Sequence, residues 1–313
     1  MKFSLCLCVS ALALSALSAC TPEAPGEPPA AAAEAPAAPV VESKFAENDG
    51  VKIHYAASGE GPLVVMIHGF PDYHGSWNGL AAALNSNYRV AAMDTRGYNL
   101  SSQPEGVENY AMDKLVGDVA AVIAAEGRQT ATVIGHDWGA AIAWDFAFSN
   151  PDKLDNLVIL SVPHPTAFAK ELKNNPVQRR NSEYARNFQK EGSEASLTAE
   201  GLAGWVQDPE AKARYVEAFS KSSFPAMMNY YRANYPDPNA PAAELPPLNA
   251  PLLVIHGMKD QALLASGHSG TWDYVARDST LLMVPEAGHF VQHDAADLVN
   301  GTIRNWLDMR RPQ

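Results

Sequence analysis

The sequence predicts an α/β domain: a mostly parallel sheet with helices on both faces and an inserted helical cap. Three observations carry this. Apolar β-runs alternate with amphipathic helical stretches between residues 51 and 160, and such alternation builds parallel sheets. Runs such as Leu63-Val64-Val65-Met66-Ile67 and Leu252-Leu253-Val254-Ile255 are continuously apolar, as strands covered on both faces must be. The rhythm then breaks: residues 163–238 hold aromatic, helical segments without a convincing strand, and the βα pattern resumes at Pro251.

The chain's beginning is expected to lie outside this domain. Residues 1–19 carry Lys2 followed by an apolar run from Phe3 to Leu17, too short and too interrupted by serine for a comfortable membrane span. The run ends in Leu17-Ser18-Ala19-Cys20, which resembles a bacterial lipobox; the resemblance implies cleavage before Cys20 and lipidation of its thiol. A conventional secretory signal cut after a small residue is the alternative. Several acyl chains on one residue would give stable anchoring, so the reading implies an extracytoplasmic, membrane-anchored protein. Residues 20–41 are Pro, Ala and Glu with almost nothing to bury, a semi-extended tether. Cys6 and Cys8 leave with the signal, so residues 42–313 hold no thiol for a disulfide or a thiolate metal site.

The domain then unfolds in order. Val51 to Ala57 alternates as a strand, and Asp49-Gly50 turns it from the Lys44–Glu47 run. The strand at Leu63 delivers His68-Gly69-Phe70-Pro71 at its C-terminal end, where open α/β sheets place their sites. Trp77, Leu80, Ala81 and Leu84 keep helical spacing, Tyr88 to Met93 is the next strand, and Met112, Leu115, Val116, Val119 and Ile123 trace a second helix. A strand from Leu154 to Leu160, one from Thr280 to Val284, and a closing helix from about Asp294 to Leu307 complete it. The hydrophobic and charged fractions, 47% and 19%, are globular values. A net charge of -12 without a basic patch argues against a nucleic-acid partner.

The chemistry gathers at Gly135-His136-Asp137-Trp138-Gly139. An apolar strand runs into a two-glycine turn and a helix rich in small residues, the G-x-nucleophile-x-G elbow with Asp where Ser is common. A carboxylate held there is aimed at carbon as a nucleophile; an Asp N-cap in an ordinary turn is the alternative. Four motifs stand at strand ends: His68-Gly69-Phe70-Pro71, the Asp137 elbow, the Gly257-Met258-Lys259-Asp260 loop and Gly288-His289. Together the chain resembles the epoxide hydrolase and haloalkane dehalogenase branch of the α/β-hydrolases, over essentially all of residues 42–313. The order nucleophile, acid, histidine fits that fold.

The resemblance implies that Asp137 attacks an sp³ carbon, that the Phe70 and Trp138 amides form the oxyanion hole, and that His289, oriented by Asp260, is the base for water. His293 is an alternative base, and a turn residue is the alternative reading of Asp260. His68 and His136 are expected to brace loops. Within the cap, Tyr184-Ala185-Arg186-Asn187-Phe188-Gln189 and Asn229-Tyr230-Tyr231-Arg232 resemble the segments in which epoxide hydrolases carry two acidic phenols. This places the donors at Tyr184 and Tyr231, with Tyr230 in place of Tyr231 if the register differs; packing is the alternative use of each. Pro163-His164-Pro165 at the cap entrance is also similar to that family. One departure is Gly97-Tyr98-Asn99-Leu100-Ser101, with Asn where the family usually has Gly, expected to bear on the pocket rim.

The resemblance therefore implies hydrolysis of a small-molecule epoxide to a vicinal diol through an aspartyl ester, with no cofactor and no metal. The alternatives are a haloalkane dehalogenase with the same Asp-His-Asp set, with Trp138 as a halide donor, and a non-catalytic ligand-binding lipoprotein. Phe70, where dehalogenases typically carry Asn or Glu, counts against the first.

Overall fold

A computed structural model of the chain describes residues 41–311. The expected signal segment, Cys20 and nearly all of the tether lie outside the described residues.

Strands β1 (Glu42–Asn48) and β2 (Val51–Ser58) form a hairpin around Asp49-Gly50, both at positive φ. Then come β3 (Leu63–Ile67), α1 (Asn78–Leu84), β4 (Arg89–Met93), α2 (Met112–Ala125), β5 (Ala131–His136), α3 (Trp138–Ser149) and β6 (Leu154–Leu160). The cap helices follow as α4 (Pro165–Asn174), α5 (Pro176–Asn181), α6 (Glu183–Phe188), α7 (Ala199–Leu202), α8 (Pro209–Ser220) and α9 (Phe224–Asn234). Their starts are written in sequence: Asn175, Asp208 and Ser223 each accept a first-turn amide with a Pro just inside the helix. The chain re-enters the sheet at β7 (Leu252–Gly257) and β8 (Ser279–Val284) and closes with α10 (Val291–Asp294) and α11 (Ala296–Asp308).

The strand order is β1-β2-β4-β3-β5-β6-β7-β8. β2 pairs antiparallel with β1 and β4, and every later pairing is parallel. Strand period two splits the apolar runs between two cores. Val65, Ile67, Val133, Leu157 and Val254 pack on the face of α2 and α3. Val64, Met66, Ile134, Val158 and Ile255 pack on the opposite face with Leu80 and Leu84 of α1 and Ile303 and Trp306 of α11. β4 and β5 flank β3 on opposite sides, so loops leaving β3 and β5 part there and open a crevice at their C-terminal ends.

The closing helix differs from the sequence expectation of one helix from about Asp294. It breaks at Ala295 (φ -135°, ψ 44°) because the short α10 folds back: Asp294 Oδ2 accepts the Gly288 amide at 2.7 Å. That contact pins the loop carrying His289.

The elbow divides its backbone demands between Asp137 and the two glycines that flank it. The positive φ, 50°, belongs to Asp137 itself, whereas Gly135 and Gly139 supply space. A Cβ on Gly139 would stand 2.0 Å from the Ile67 carbonyl oxygen, and one on Gly135 2.2 Å from that of Gly139. Gly139→Ala should therefore destabilise the fold by about 3 kcal/mol, because the clash is with backbone. Gly204→Ala, with open space around it, is the matched control; equal melting temperatures for the two variants would contradict this account.

Candidate active site

The Asp137 side chain stands at the C-terminal end of β5. It is at the N-cap position of α3 but makes no cap hydrogen bond, which sets aside the ordinary-turn reading. Its oxygens face different partners. Oδ1 accepts the Phe70 amide at 2.7 Å, and Oδ2 lies 3.4 Å from His289 Nε2. Trp138 opens α3, so its N–H has no acceptor within the helix and stands beside the same carboxylate. Gly69 is required on this side, since a Cβ there would come within 2.4 Å of the Asp137 Cβ.

His289 Nδ1 donates to Asp260 Oδ2 at 2.8 Å. The other oxygen of Asp260 accepts the amides of Ala262 and Leu263 at 2.8 and 2.9 Å, so the carboxylate is fully buried yet satisfied. The His289 backbone is fixed as well: its carbonyl accepts from His136 Nε2 and Ser161 Oγ, both at 2.9 Å. His68 donates from Nδ1 to the Gly69 carbonyl (2.8 Å) and accepts the Thr95 amide on Nε2 (3.1 Å). Both bracing histidines are neutral, because burial lowers their pKa, that of His136 to about 4.

His293 lies elsewhere. Its Nε2 meets Ser76 Oγ at 3.0 Å and the Tyr215 hydroxyl at 3.2 Å, with Asp72 Oδ2 at 3.9 Å. The buried Asp72 accepts the Tyr215 hydroxyl of α8 at 2.9 Å, a tie between cap and sheet loop. Sequence spacing gave no sign of it, nor of Trp205 stacked on Phe290 with ring centres 3.9 Å apart.

Burial disfavours a charged His289, but the Asp260 charge and the hydrogen bonds to Asp137 and Asp260 outweigh it and raise the pKa to about 10. Burial likewise works against both carboxylates, and the His289 imidazolium more than compensates, holding them below their ordinary values. The three groups thus form an ion triad in which Asp137 is a carboxylate.

Tyr184 and Tyr231 line one cavity with Asp137 and Trp138, about 300 Å³ in volume. Their rings lie 6.3 Å apart, and Tyr231 sits edge-on to Trp138 (5.1 Å) and Phe70 (5.6 Å). Tyr230 is turned away, donating its hydroxyl to the Arg96 carbonyl at 2.8 Å. The two tyrosine segments are tied together: Gln189 Nε2 donates to the Tyr231 carbonyl at 3.2 Å, and Arg232 reaches the Lys190 carbonyl at 3.0 Å. Burial raises both cavity phenols well above the ordinary tyrosine value. Asn99 has the positive φ expected (43°), but its side chain turns inward to Asp94 and it does not line this cavity.

Among the described residues, one group has donor atoms close enough to suggest a cation: His54, His74 and Asp94. The Asp94 oxygens are already taken by His54 Nδ1, the His74 amide and ring, and Asn99 Nδ2 at 2.7–3.0 Å. The group is a hydrogen-bonded lock between β2 and the loops after β3 and β4.

Comparison with known proteins places the fold in a family. Residues 62–296 match the family described as alpha/beta hydrolase fold. The chain belongs to that family, as an epoxide hydrolase-like member. The hydrolase is 34% identical to the AB hydrolase superfamily protein YfhM of Bacillus subtilis, over 85% of this chain and 98% of that one. It is 30% identical to Epoxide hydrolase 1 of Caenorhabditis elegans, over 85% and 70%. A crystal structure of a Bacillus megaterium epoxide hydrolase variant complexed with its naphthyloxy-propanediol product superposes with a TM-score of 0.79 at 31% identity, covering 85% of this chain and all of that one.

The His289 charge has a measurable consequence. A pKa raised from 6.5 to about 10 on folding contributes stability that is full below the unfolded value and lost as pH rises through the folded one. The melting-temperature gap between wild type and His289→Gln should therefore shrink between about pH 6.5 and pH 10. A gap that stays constant over that range would contradict the ion triad.

Proposed function

We propose that this hydrolase opens epoxides to vicinal diols through a covalent ester on Asp137. The observation that carries the reading is the shared cavity: a nucleophilic carboxylate on one wall and two cap phenols, Tyr184 and Tyr231, on another. Opening an epoxide leaves an alkoxide, a poor leaving group that needs an O–H donor. Halide departure needs no proton, so a pair of phenols is chemistry for the former. The naphthyloxy-propanediol held by the Bacillus megaterium relative is the kind of product this route yields.

The steps follow from the two oxygens of Asp137. Oδ2, outside the oxyanion hole, attacks a ring carbon as the C–O bond breaks, and a tyrosine proton passes to the departing oxygen. Oδ1 becomes the ester carbonyl oxygen and already stands at the Phe70 amide. The His289 imidazolium gives its proton to the tyrosinate left by ring opening; water then attacks that carbonyl, giving its proton to the now neutral His289, while the Phe70 and Trp138 amides hold the oxyanion. Collapse breaks the bond between the Asp137 carbonyl carbon and the substrate oxygen, which takes the carboxyl proton and leaves as diol, so that Asp137 returns as a carboxylate and His289 as an imidazolium. Hydroxide equivalents enter only in the second step, so the two halves are separable.

His289→Gln incubated with a glycidyl ether that wild type turns over should gain the mass of one epoxide, located on the peptide containing Asp137. Asp137→Ala should gain none. Absence of both adduct and slow turnover in His289→Gln would overturn the two-step route. Tyr184→Phe and Tyr231→Phe should each cost on the order of 10²-fold, and the pair together nearly all activity. Halide release without diol formation would instead select dehalogenation.

We also propose that the protein is anchored to the periplasmic face of a bacterial membrane through lipid on Cys20, with residues 20–41 as tether. Labelled palmitate should enter the wild type and not Cys20→Ser. Membrane fractionation of mature, unlabelled Cys20→Ser would refute the anchor.

A further inference from the structure

The catalytic cavity carries charge of one sign. Its inner end is formed by Asp137 and the two phenols, and most of the remaining wall is carbon, from Trp144, Phe168 and Leu263 to a series of prolines. Besides the nucleophile, the charged side chains on the wall are Asp145 and Asp237, both exposed, and no Lys, Arg or His is among the described residues lining it. Of the nearby cations, Lys170 bonds the Tyr274 hydroxyl at 3.0 Å, and Arg186 lies behind Tyr235 without lining the cavity.

Asp145 follows Asp137 by eight residues on α3, roughly 12 Å along the helix axis at 1.5 Å per residue. Both residues line the same cavity, so a substrate whose oxirane meets Asp137 and which extends along α3 approaches Asp145. Partial burial raises the Asp145 carboxyl above its ordinary value. Glu171 and Lys173 of α4 show the contrast at the cap surface, where charge of both signs is interspersed.

We propose that Asp145 and Asp237 make the cavity a charge filter, which admits epoxides with a neutral or cationic distal group and rejects those with an anionic one about 10 Å from the oxirane. The proposal rests on the epoxide reading and adds which epoxides are taken. A carboxylate entering here loses water in a cavity whose charged wall residues are all anionic and meets no cation on that wall, whereas an ammonium meets charge of the opposite sign. At an effective dielectric intermediate between protein and water, each carboxylate is worth about tenfold against an anion at this range.

The test uses three aryl glycidyl ethers of one shape, with a para carboxamide, carboxylate or aminomethyl group. In wild type, kcat/KM for the carboxylate should fall at least about tenfold below the amide, with the ammonium equal to the amide or better. In Asp145→Asn/Asp237→Asn the carboxylate-to-amide ratio should rise toward one, and in wild type it should rise with salt, because exposed charges are screened. The ratio is internal to each protein, so a general loss of activity does not enter it. Equal wild-type rates on carboxylate and amide, or a ratio unchanged in the double variant, would overturn the filter. If none of the three turns over, the epoxide reading itself fails, and calorimetric binding of the three corresponding diols still decides the filter: carboxylate binding equal to amide refutes it.

Discussion

The site depends on one backbone constraint, the positive φ of Asp137. A non-glycine residue in so sparsely populated a region costs on the order of 1–3 kcal/mol and persists only where its surroundings over-determine it. Here they do. β5 is central in the sheet, the Asp137 carbonyl accepts the Ala140 and Ala141 amides at 2.9 and 3.0 Å, and Gly135, Gly139 and Gly69 let three backbones meet closer than any Cβ allows. The result is a carboxylate that cannot rotate freely into a cap position. One oxygen is committed to the Phe70 amide and the other to the side of the cavity and His289. The strain of the elbow is thus what distinguishes the two oxygens chemically.

The cap uses the opposite strategy, area rather than backbone geometry. Aromatic edges hold Tyr231 against Trp138 and Phe70, and Phe188 lies between Tyr184 and Tyr231. Three tyrosines outside the cavity give their hydroxyls to internal acceptors: Tyr230 to the Arg96 carbonyl, Tyr110 to the Pro104 carbonyl and Tyr215 to the Asp72 carboxylate. The cavity pair is packed through its rings and lines the pocket beside Asp137. Since a phenol raised by burial stays protonated at neutral pH, each is a donor in waiting.

How much of this was legible in the sequence follows from the range of the interactions. Asp137, Asp260, His289 and Phe70 stand at ends of continuous apolar runs, and such local patterns survive in one dimension. So does the pair of tyrosine segments, although the reason Gln189 and Arg232 belong to them is visible only when α6 meets α9. The choice of Tyr231 over Tyr230 was a matter of helical register, which the bond from Tyr230 to Arg96 decides across 134 residues. The Asp72–Tyr215 tie spans 143 residues and the Ser76–His293 contact 217; neither leaves a periodic or compositional trace. Asp145 was invisible for another reason. On a helix with apolar residues all round, one Asp reads as solvent-facing, and only the cavity shows what it faces.

The charge on His289 links the two halves of the proposed reaction. In the resting site the imidazolium is held by two carboxylates, and a proton so strongly bound is of no use for activating water. Alkylation changes this without moving any atom far. Ester formation on Asp137 removes one of the two negative charges and the hydrogen bond its oxygen offered, both of which raise the His289 pKa. Burial, which opposes the charged ring, then meets only Asp260. The pKa falls, the proton is released more readily, and the ring becomes a base at the moment when a base is needed. In the proposed reaction a single ion pair would therefore order the steps: while Asp137 is a nucleophile His289 is an acid, and once Asp137 is an ester His289 can accept a proton from water.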